Sequence, residues 1–212
     1  GTAANPQYER ITDNYLNNVD VGGNSNQTFV DIDNDNDLDI FIGNDYAKLG
    51  FIRNDGTLAS AQFNFLEDSL NTLSESFNYS PAFGDLDNDG DKDMILGSYI
   101  KDSLWFFRNA GSGTNFNFTL EARGNQIGLT TLGQSSSPVL VDIDNDQDLD
   151  LFIGATNGRI FFYENTGTVN SFSFTFRSNF YSGIDAGDES IPRFFDIDRD
   201  GDKDLFIGKQ DG

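Results

Sequence analysis

The sequence predicts an all-β fold of β-propeller type, built from four units of about 55 residues with four strands each, the last unit being incomplete. A nine-residue acidic segment recurs four times, and its copies begin 54, 57 and 54 residues apart, at Asp31, Asp85, Asp142 and Asp196. The 212 residues include 21 Phe and 22 Gly but one Met, and no long window has apolar residues at helical spacing. This period and composition are typical of stacked β units.

Each unit is expected to begin with a strand that leads into the acidic segment, as residues 138–141 do. Three of the four prolines occupy one position of this strand, namely Pro81, Pro138 and Pro192. Because proline cannot donate a hydrogen bond to a ladder, this strand is expected to form the edge of its sheet. In a propeller, that edge lies beside the central channel.

Three further strands are expected in each unit. The second follows the acidic segment and ends at a glycine, as in residues 39–43. The third ends at an asparagine that opens a glycine turn, and it covers residues 51–54, 104–109 and 160–165. The fourth covers residues 63–66, 116–119 and 172–175, and residues 8–11 match it near the start of the chain. The alternating aromatic residues of these strands could form a sugar platform, but their alternation favours a core between neighbouring sheets.

One repeat domain is expected over residues 1–212, either on its own or as part of a larger propeller or assembly. Its units are at about 8–62, 63–115, 116–171 and 172–212. A fourth strand opens the chain and the sequence stops after the second strand of the last unit, so one strand is missing. Either the sequence is a piece of a longer propeller, or another chain completes the last sheet by strand addition.

The acidic segments predict metal sites. Two carboxylates ~4 Å apart repel by roughly 4 kcal/mol near a protein surface, so five aspartates in nine residues need a cation among them. The ligands are all oxygen and the chain has no His and no Cys, which favours a hard cation, and calcium fits an oxygen shell of this kind best. About four calcium ions (Ca2+) are expected, one per repeat. The predicted metal residues are Asp31, Asp33, Asp35, Asp37 and Asp39, Asp85, Asp87, Asp89, Asp91 and Asp93, Asp142, Asp144, Asp146, Asp148 and Asp150, and Asp196, Asp198, Asp200, Asp202 and Asp204.

Within each loop, the spacing assigns side-chain oxygens to positions 1, 3, 5 and 9 and a backbone carbonyl to position 7, whose own side chain is expected to face solvent. An EF-hand is excluded because position 12 is apolar in every copy, where an EF-hand needs Glu. Plain acidic turns are the alternative, since Asp and Asn are common turn residues. Four copies in register, each followed by an apolar strand and a glycine, favour the metal interpretation.

These loops and strands resemble FG-GAP/VCBS-type repeats, which occur in integrin alpha-subunit propellers and in many bacterial surface proteins. The resemblance implies an Asp-x-Asp-x-Asp-Gly-x-x-Asp calcium loop between the first two strands of each blade, commonly with seven blades. The loop that begins at Asp85 matches this pattern with Gly90, and the loop that begins at Asp196 matches equally well. Asn36 and Gln147 replace the glycine in the other two loops. Gln147 is expected to be the more strained, and its loop the weakest site.

The charge and the missing motifs limit the function. A formal net charge of −22 disfavours nucleic acid and anionic lipid as partners. No apolar run of 18 residues is present, so no membrane span is expected, and no signal peptide is recognised at the start. Calcium loops saturate readily where calcium is millimolar, so an extracellular or cell-surface location is expected.

No catalytic constellation is found, and the absence of His and Cys excludes chemistry that depends on them. The expected function is a non-enzymatic module for adhesion, for binding protein or glycan, or for surface assembly. Its candidate contact surface is formed by the connectors 12–26, 67–80, 121–137 and 177–190. The alternatives are a filament subunit completed by strand addition through the open last blade, and the scaffold of a polysaccharide-degrading enzyme with carboxylates outside the loops. Three N-glycosylation patterns begin at Asn26, Asn78 and Asn117.

Overall fold

A computed structural model describes residues 16, 23–45, 48–57, 60–66, 78–99, 104–112, 115–129 and 136–209. These residues form fourteen strands and two short 3-10 turns. The strands are β1 Asn26–Val30, β2 Asp39–Gly43, β3 Leu49–Asn54, β4 Phe63–Leu66, β5 Ser80–Gly84, β6 Asp93–Gly97, β7 Leu104–Asn109, β8 Phe118–Arg123, β9 Ser137–Val141, β10 Asp150–Gly154, β11 Ile160–Asn165, β12 Phe174–Ser178, β13 Ile191–Phe195 and β14 Asp204–Gly208. The turns are Gly124–Gln126 and Tyr181–Gly183.

The strands make four antiparallel sheets in chain order. Three sheets have four strands, β1-β2-β3-β4, β5-β6-β7-β8 and β9-β10-β11-β12, and the last has two, β13-β14. The predicted all-β repeat with an incomplete last blade is confirmed. The strand predicted at residues 8–11 lies outside the described residues.

The first strands of the sheets are neighbours in space: β1 contacts β5, β5 contacts β9, and β9 contacts β13. Each is the edge strand of its own sheet, as the prolines predict. The side chains of the second strand alternate between the two neighbouring sheets. In β10, Leu151 and Ile153 pack against the second sheet, whereas Phe152 packs against Phe194 of the fourth. Both faces of each middle sheet are therefore buried.

Aromatic rings fill the spaces between the sheets. Phe41 of β2 lies 4.7 Å from Phe51 of its own sheet and 4.6 Å from Phe83 of the next sheet, measured between ring centroids. Phe152 holds the equivalent place in β10 and lies 4.6 Å from Phe194. Full burial of such a ring stabilises the fold by about 1.5–3 kcal/mol, and paired rings add about 0.5–1.5 kcal/mol. The aromatic stripe is core, as its alternation predicts.

A glycine ends the second strand because the next sheet approaches closely there. A Cβ placed on Gly43 would lie 1.8 Å from the carbonyl oxygen of Tyr79, which precedes β5. At Gly97 the same atom would lie 2.0 Å from the carbonyl oxygen of Ser136. No side chain fits at either distance, so this glycine allows the sheets to pack at their inner edges.

Two of the predicted fourth strands begin later than expected. The prediction placed them at 116–119 and 172–175, but β8 begins at Phe118 and β12 at Phe174. The preceding residues are held in a tight turn by bridges between Ser112 and Asn115 and between Thr168 and Ser171. Alternation of aromatic residues gives no signal for this turn, because Phe116 and Phe172 still pack against the preceding sheet.

Candidate metal sites

Each acidic loop connects the first strand of a sheet to the second, at the same end of all four sheets. Its backbone turns sharply twice, because positions 4 and 6 both have positive φ. Position 4 is Asn34, Asn88, Asn145 and Arg199, with φ between 59° and 66°. Position 6 is Asn36, Gly90, Gln147 and Gly201, with φ between 73° and 100°. Asn and Gly adopt this conformation at low cost, whereas Gln147 and Arg199 do not. The expected strain at Gln147 therefore has a counterpart at Arg199, which the family pattern does not indicate.

These turns bring the carboxylates together. In the first three loops the aspartates at positions 1, 3 and 5 each offer one oxygen within 4.8 Å of the others. In the fourth loop the same cluster consists of Asp196, Asp198 and Asp204, at positions 1, 3 and 9. In the described part of the chain, these four clusters are the groups of three or more acids that are close enough to share one ion.

Several cluster oxygens are buried and accept no hydrogen bond from any described residue. They are Oδ1 of Asp33, Asp85, Asp87 and Asp196. Leaving such an oxygen unsatisfied costs about 1–3 kcal/mol, and more when it is charged. An all-oxygen cluster of this kind fits a hard divalent cation such as calcium.

The aspartate at position 1 is held in place by the loop backbone. Asp142 accepts hydrogen bonds from the backbone N–H groups of Asp146 at 3.2 Å and Gln147 at 3.1 Å. Asp31 accepts the equivalent pair in the first loop, from Asp35 and Asn36. The carboxylate closes the turn and thereby fixes the positions of the residues that follow it.

The aspartate at position 9 connects the loop to the third strand. In the third sheet, Asp150 accepts from the N–H of Asn165 at 2.8 Å and from the N–H of Ile143 at 3.3 Å. Asp39 and Asp93 make the same two bonds in their sheets. Burial raises the pKa of all three carboxyls to about 6, against the opposing effect of these N–H donors.

The asparagine that ends the third strand continues this connection. The side-chain oxygen of Asn165 accepts from the N–H groups of Gly167 at 3.1 Å and Ser173 at 2.8 Å. It thereby shapes the turn into the fourth strand. In the fourth sheet no described third strand supplies such an asparagine, and there Asp204 belongs to the acid cluster.

The prediction that position 7 faces solvent is wrong for two loops. Asp37 and Asp148 are only 6% and 8% exposed, Asp91 is half-buried and Asp202 is exposed. Both buried residues have an Oδ1 atom that accepts no hydrogen bond from a described residue. Burial first, and then the surrounding aspartates, raise the pKa of Asp148 to about 6. Both carboxyls lie close enough to the other aspartates of their loops for like charge to contribute to their raised pKa, although neither belongs to the three-residue cluster of its loop.

A charged residue of the third strand lies beside the loop and differs between the sheets. Arg108 of β7 contacts Asp87 and donates from Nε to Glu121 at 2.8 Å. Arg53 holds the same register position in β3, and Glu164 replaces it in β11. Glu164 is ion-paired with Arg177, and Arg108 with Glu121, so neither leaves a large uncompensated charge beside its loop. The order of cation affinities among the loops stays a prediction.

Four antiparallel sheets placed side by side, each with an aspartate loop between its first two strands, define a propeller-type repeat protein. The chain belongs to the family of FG-GAP-like repeats, whose profile matches residues 31–96, 85–153 and 142–207. Integrin alpha-4 of Xenopus laevis is 28% identical over 150 residues, which cover 64% of this chain and 14% of the integrin. The resemblance drawn from the loops is thereby confirmed. Within the described residues, no helix is long and apolar enough to cross a membrane.

Proposed function

We propose that this protein is a calcium-stabilised β-propeller module of the cell exterior, which serves adhesion or surface assembly by binding protein or glycan and has no enzymatic activity of its own. The observation that carries the proposal is the cluster of aspartate oxygens in every one of the four loops. Each loop connects the first two strands of its own sheet, and every sheet has one such loop, so four bound ions would stabilise all four sheets.

The similarity to integrin alpha-4 supports an adhesive role, and it covers a small part of that protein. The acidic surface supports partners other than nucleic acid. The hypothesis of an enzyme scaffold gains no support from the comparison, since the similar protein is an integrin subunit. Of the three asparagines that begin N-glycosylation patterns, Asn117 is the exposed one, and we propose it as the position of a glycan.

The proposed ligand set is taken position by position. Side-chain oxygens come from positions 1, 3, 5 and 9, and a backbone carbonyl comes from position 7. In the first and third loops, the buried carboxylates of Asp37 and Asp148 add a side-chain oxygen. This gives six oxygens in the first and third loops and five in the other two, where a bidentate carboxylate or a water would complete the six to eight that calcium accepts.

The test is the metal content and its effect on stability. Native mass spectrometry in a calcium buffer should detect about four ions per chain. Removing calcium should lower the melting temperature by many degrees, because each emptied loop leaves facing carboxylates uncompensated. Added calcium should restore it, and magnesium should restore it less well. A melting curve that does not change on calcium removal would contradict the proposal.

A second candidate function is a subunit of an extracellular filament. The observation that favours it is the last sheet, whose β14 has no second strand partner among the described residues. Phe195 and Phe206 of this sheet are 57% and 46% exposed, and Ile197 of its loop is 66% exposed. An exposed apolar sheet with an unpaired edge favours pairing with another chain. Electron microscopy of the native material would detect filaments.

A further inference from the structure

A polar cavity of about 880 Å³ lies where the four first strands begin. It is at the end of these strands opposite to the metal loops, which follow their other ends. Its lining comes from all four sheets and includes Asn26, Ser80, Ser137 and Arg193. The described ends of the four predicted connectors meet there. The size is within the range of small-molecule sites, which is roughly 300–1,000 Å³.

A chain of hydrogen bonds runs around this cavity from sheet to sheet. Arg193 of β13 donates from Nη2 to Oδ1 of Asn26 in β1 at 3.2 Å. Asn26 donates from Nδ2 to Oγ of Ser80 in β5 at 2.8 Å, and that hydroxyl lies 3.3 Å from Oγ of Ser137 in β9. The polar side chains are thereby fixed in position before any ligand arrives, which reduces the entropy lost on binding.

Arg193 is the unexpected member of this set. The same position of the other first strands holds Thr28, Ala82 and Val139, so a cation here is not part of the repeat. Its second described bond, from Nη1 to the carbonyl of Pro192 at 2.8 Å, leaves several of its five N–H donors available. No carboxylate within the described residues forms an ion pair with it, and burial lowers the pKa of its guanidinium. A partly desolvated arginine in so acidic a chain favours an anionic partner.

Unused hydrogen-bonding atoms lie in the same cavity. Ser136 is 2% exposed, and its Oγ has no partner in the described part of the chain. The Oδ1 atom of Asn78 is likewise buried and without a partner there. Buried polar atoms usually find a partner in protein or ordered water, so these two atoms at the cavity wall can bond a water or a polar group of a bound molecule.

We propose that this cavity binds the carboxylate of an acidic sugar, such as a uronic acid residue of a glycan. The Arg193 guanidinium holds the carboxylate by paired hydrogen bonds, and Ser136 and Asn78 bond the hydroxyls. Glu189, the other charged residue of the lining, and the net charge of −22 oppose a polyanion, so one carboxylate surrounded by hydroxyls fits better. This inference rests on the proposed binding function and names its ligand class.

Isothermal titration calorimetry on the calcium-saturated full chain tests it with three probes: glucuronate, glucose and acetate. Blank titrations into the same buffer correct for weak chelation by the sugar acid. Glucuronate should bind at one site, acetate at least about tenfold more weakly, and glucose not measurably. Arg193→Gln should weaken glucuronate binding about tenfold to a hundredfold. Arg177→Gln is the matched control, because Arg177 is an exposed guanidinium paired with Glu164 on an outer strand.

The melting temperature and calcium content of each variant establish that it is folded. If Arg193→Gln does not fold, Ser136→Ala decides, since it removes one hydroxyl without changing the charge and should weaken glucuronate binding severalfold. The proposal is overturned if folded, calcium-loaded protein does not bind glucuronate, if glucose or acetate binds with the same affinity as glucuronate, or if Arg193→Gln and Ser136→Ala bind glucuronate with unchanged affinity. If the proposed calcium sites are wrong, this would be detected separately, because the protein would contain no bound calcium.

Discussion

The aspartates of one loop have different tasks, although they look equivalent in the sequence. Asp144 belongs to the acid cluster, whereas Asp150 also connects the loop to β11 through its bond from the N–H of Asn165. Replacing either by Ala removes one negative charge. Asp150→Ala also leaves no side-chain oxygen to accept the bonds from the N–H groups of Asn165 and Ile143.

The two substitutions should therefore separate metal binding from folding. Asp144→Ala should lower the melting temperature in calcium and leave it unchanged or slightly raised in calcium-free buffer, because fewer like charges then face each other in the empty loop. Asp150→Ala should lower it in both, by the equivalent of about 1–3 kcal/mol in calcium-free buffer, because two buried N–H groups lose their acceptor. Differential scanning calorimetry with and without calcium measures this. Equal effects of the two variants in calcium-free buffer would contradict the connecting role of Asp150.

The pH dependence should reverse when calcium is removed. Burial raises the folded-state pKa of Asp39, Asp93 and Asp150 to about 6, from the ordinary aspartate value of 3.8. Without calcium, the folded protein therefore binds more protons than the unfolded chain between these values. Its stability is highest below the unfolded value and is lost as the pH rises through 6.

Calcium requires the deprotonated carboxylates, so its stabilising effect should grow over the same interval. We expect protein dialysed free of calcium to melt at a higher temperature at pH 5 than at pH 7.5. With saturating calcium, the difference should be abolished or inverted. Thermal melts in four matched buffers measure this, and a calcium-free melting temperature that rises with pH would contradict it.

At the scale of the strand, the glycine at the end of each second strand sets how closely two sheets approach. A Cβ on Gly154 would lie 1.9 Å from the carbonyl oxygen of Ser190 and 2.6 Å from Cδ of Pro192. Gly208 occupies the same position in the last sheet, where the nearest atom would be Cβ of Ile191 at 3.7 Å. The two glycines thus share a motif position but differ in their surroundings.

Gly154→Ala should therefore destabilise the fold by about 1–3 kcal/mol or more, because the backbone of the next sheet must move. Gly208→Ala is the control and should be nearly neutral, since its added methyl group meets ordinary contacts. Urea denaturation in calcium measures both. A tolerated Gly154→Ala would mean that the sheets can separate at this edge without loss of stability.

The strands and loops were predictable from sequence because both depend on local pattern: alternation along the strand, and aspartate at every second position of the loop. The late starts of β8 and β12 were not, because the turn before each is fixed by the buried side chain of Asn109 or Asn165. The inward orientation of Asp37 and Asp148 was also missed, since a repeat position carries no sign of which way a side chain turns. The cavity depends on Arg193 meeting Asn26, 167 residues away, and no local pattern indicates that contact.

At the scale of the whole molecule, the three contacts between neighbouring sheets follow one rule. One face of each second strand, the forward face, packs against the next sheet along the chain: Phe41 packs against the second sheet and Phe152 against the fourth. The face of the next sheet that contacts it, the receiving face, includes Phe83 or Phe194 of the first strand. Each sheet thus has a forward face and a receiving face, and the two are complementary.

Both faces expose apolar side chains at the ends of the array, although Leu16 packs on the buried Ile40, Ile42 and Ile52 of the first sheet. The forward face of the last sheet exposes Phe195, Ile197 and Phe206. The receiving face of the first sheet exposes Phe29 and, with it, Leu38 and Phe65. Because complementary faces on one chain form a head-to-tail contact, a second copy would extend the array into a ring or a filament.

The chain should therefore associate with itself as its concentration rises. Phe206→Asp should suppress this by placing a charge in the contact, and Phe176→Asp should not, although Phe176 is equally exposed at 46%, because it lies on the outer strand β12. Sedimentation velocity in saturating calcium, over a hundredfold concentration range, measures the association. If the chain stays monomeric throughout, or if both variants weaken association equally, the forward and receiving faces do not meet between copies, and the filament hypothesis fails while the calcium sites are unaffected.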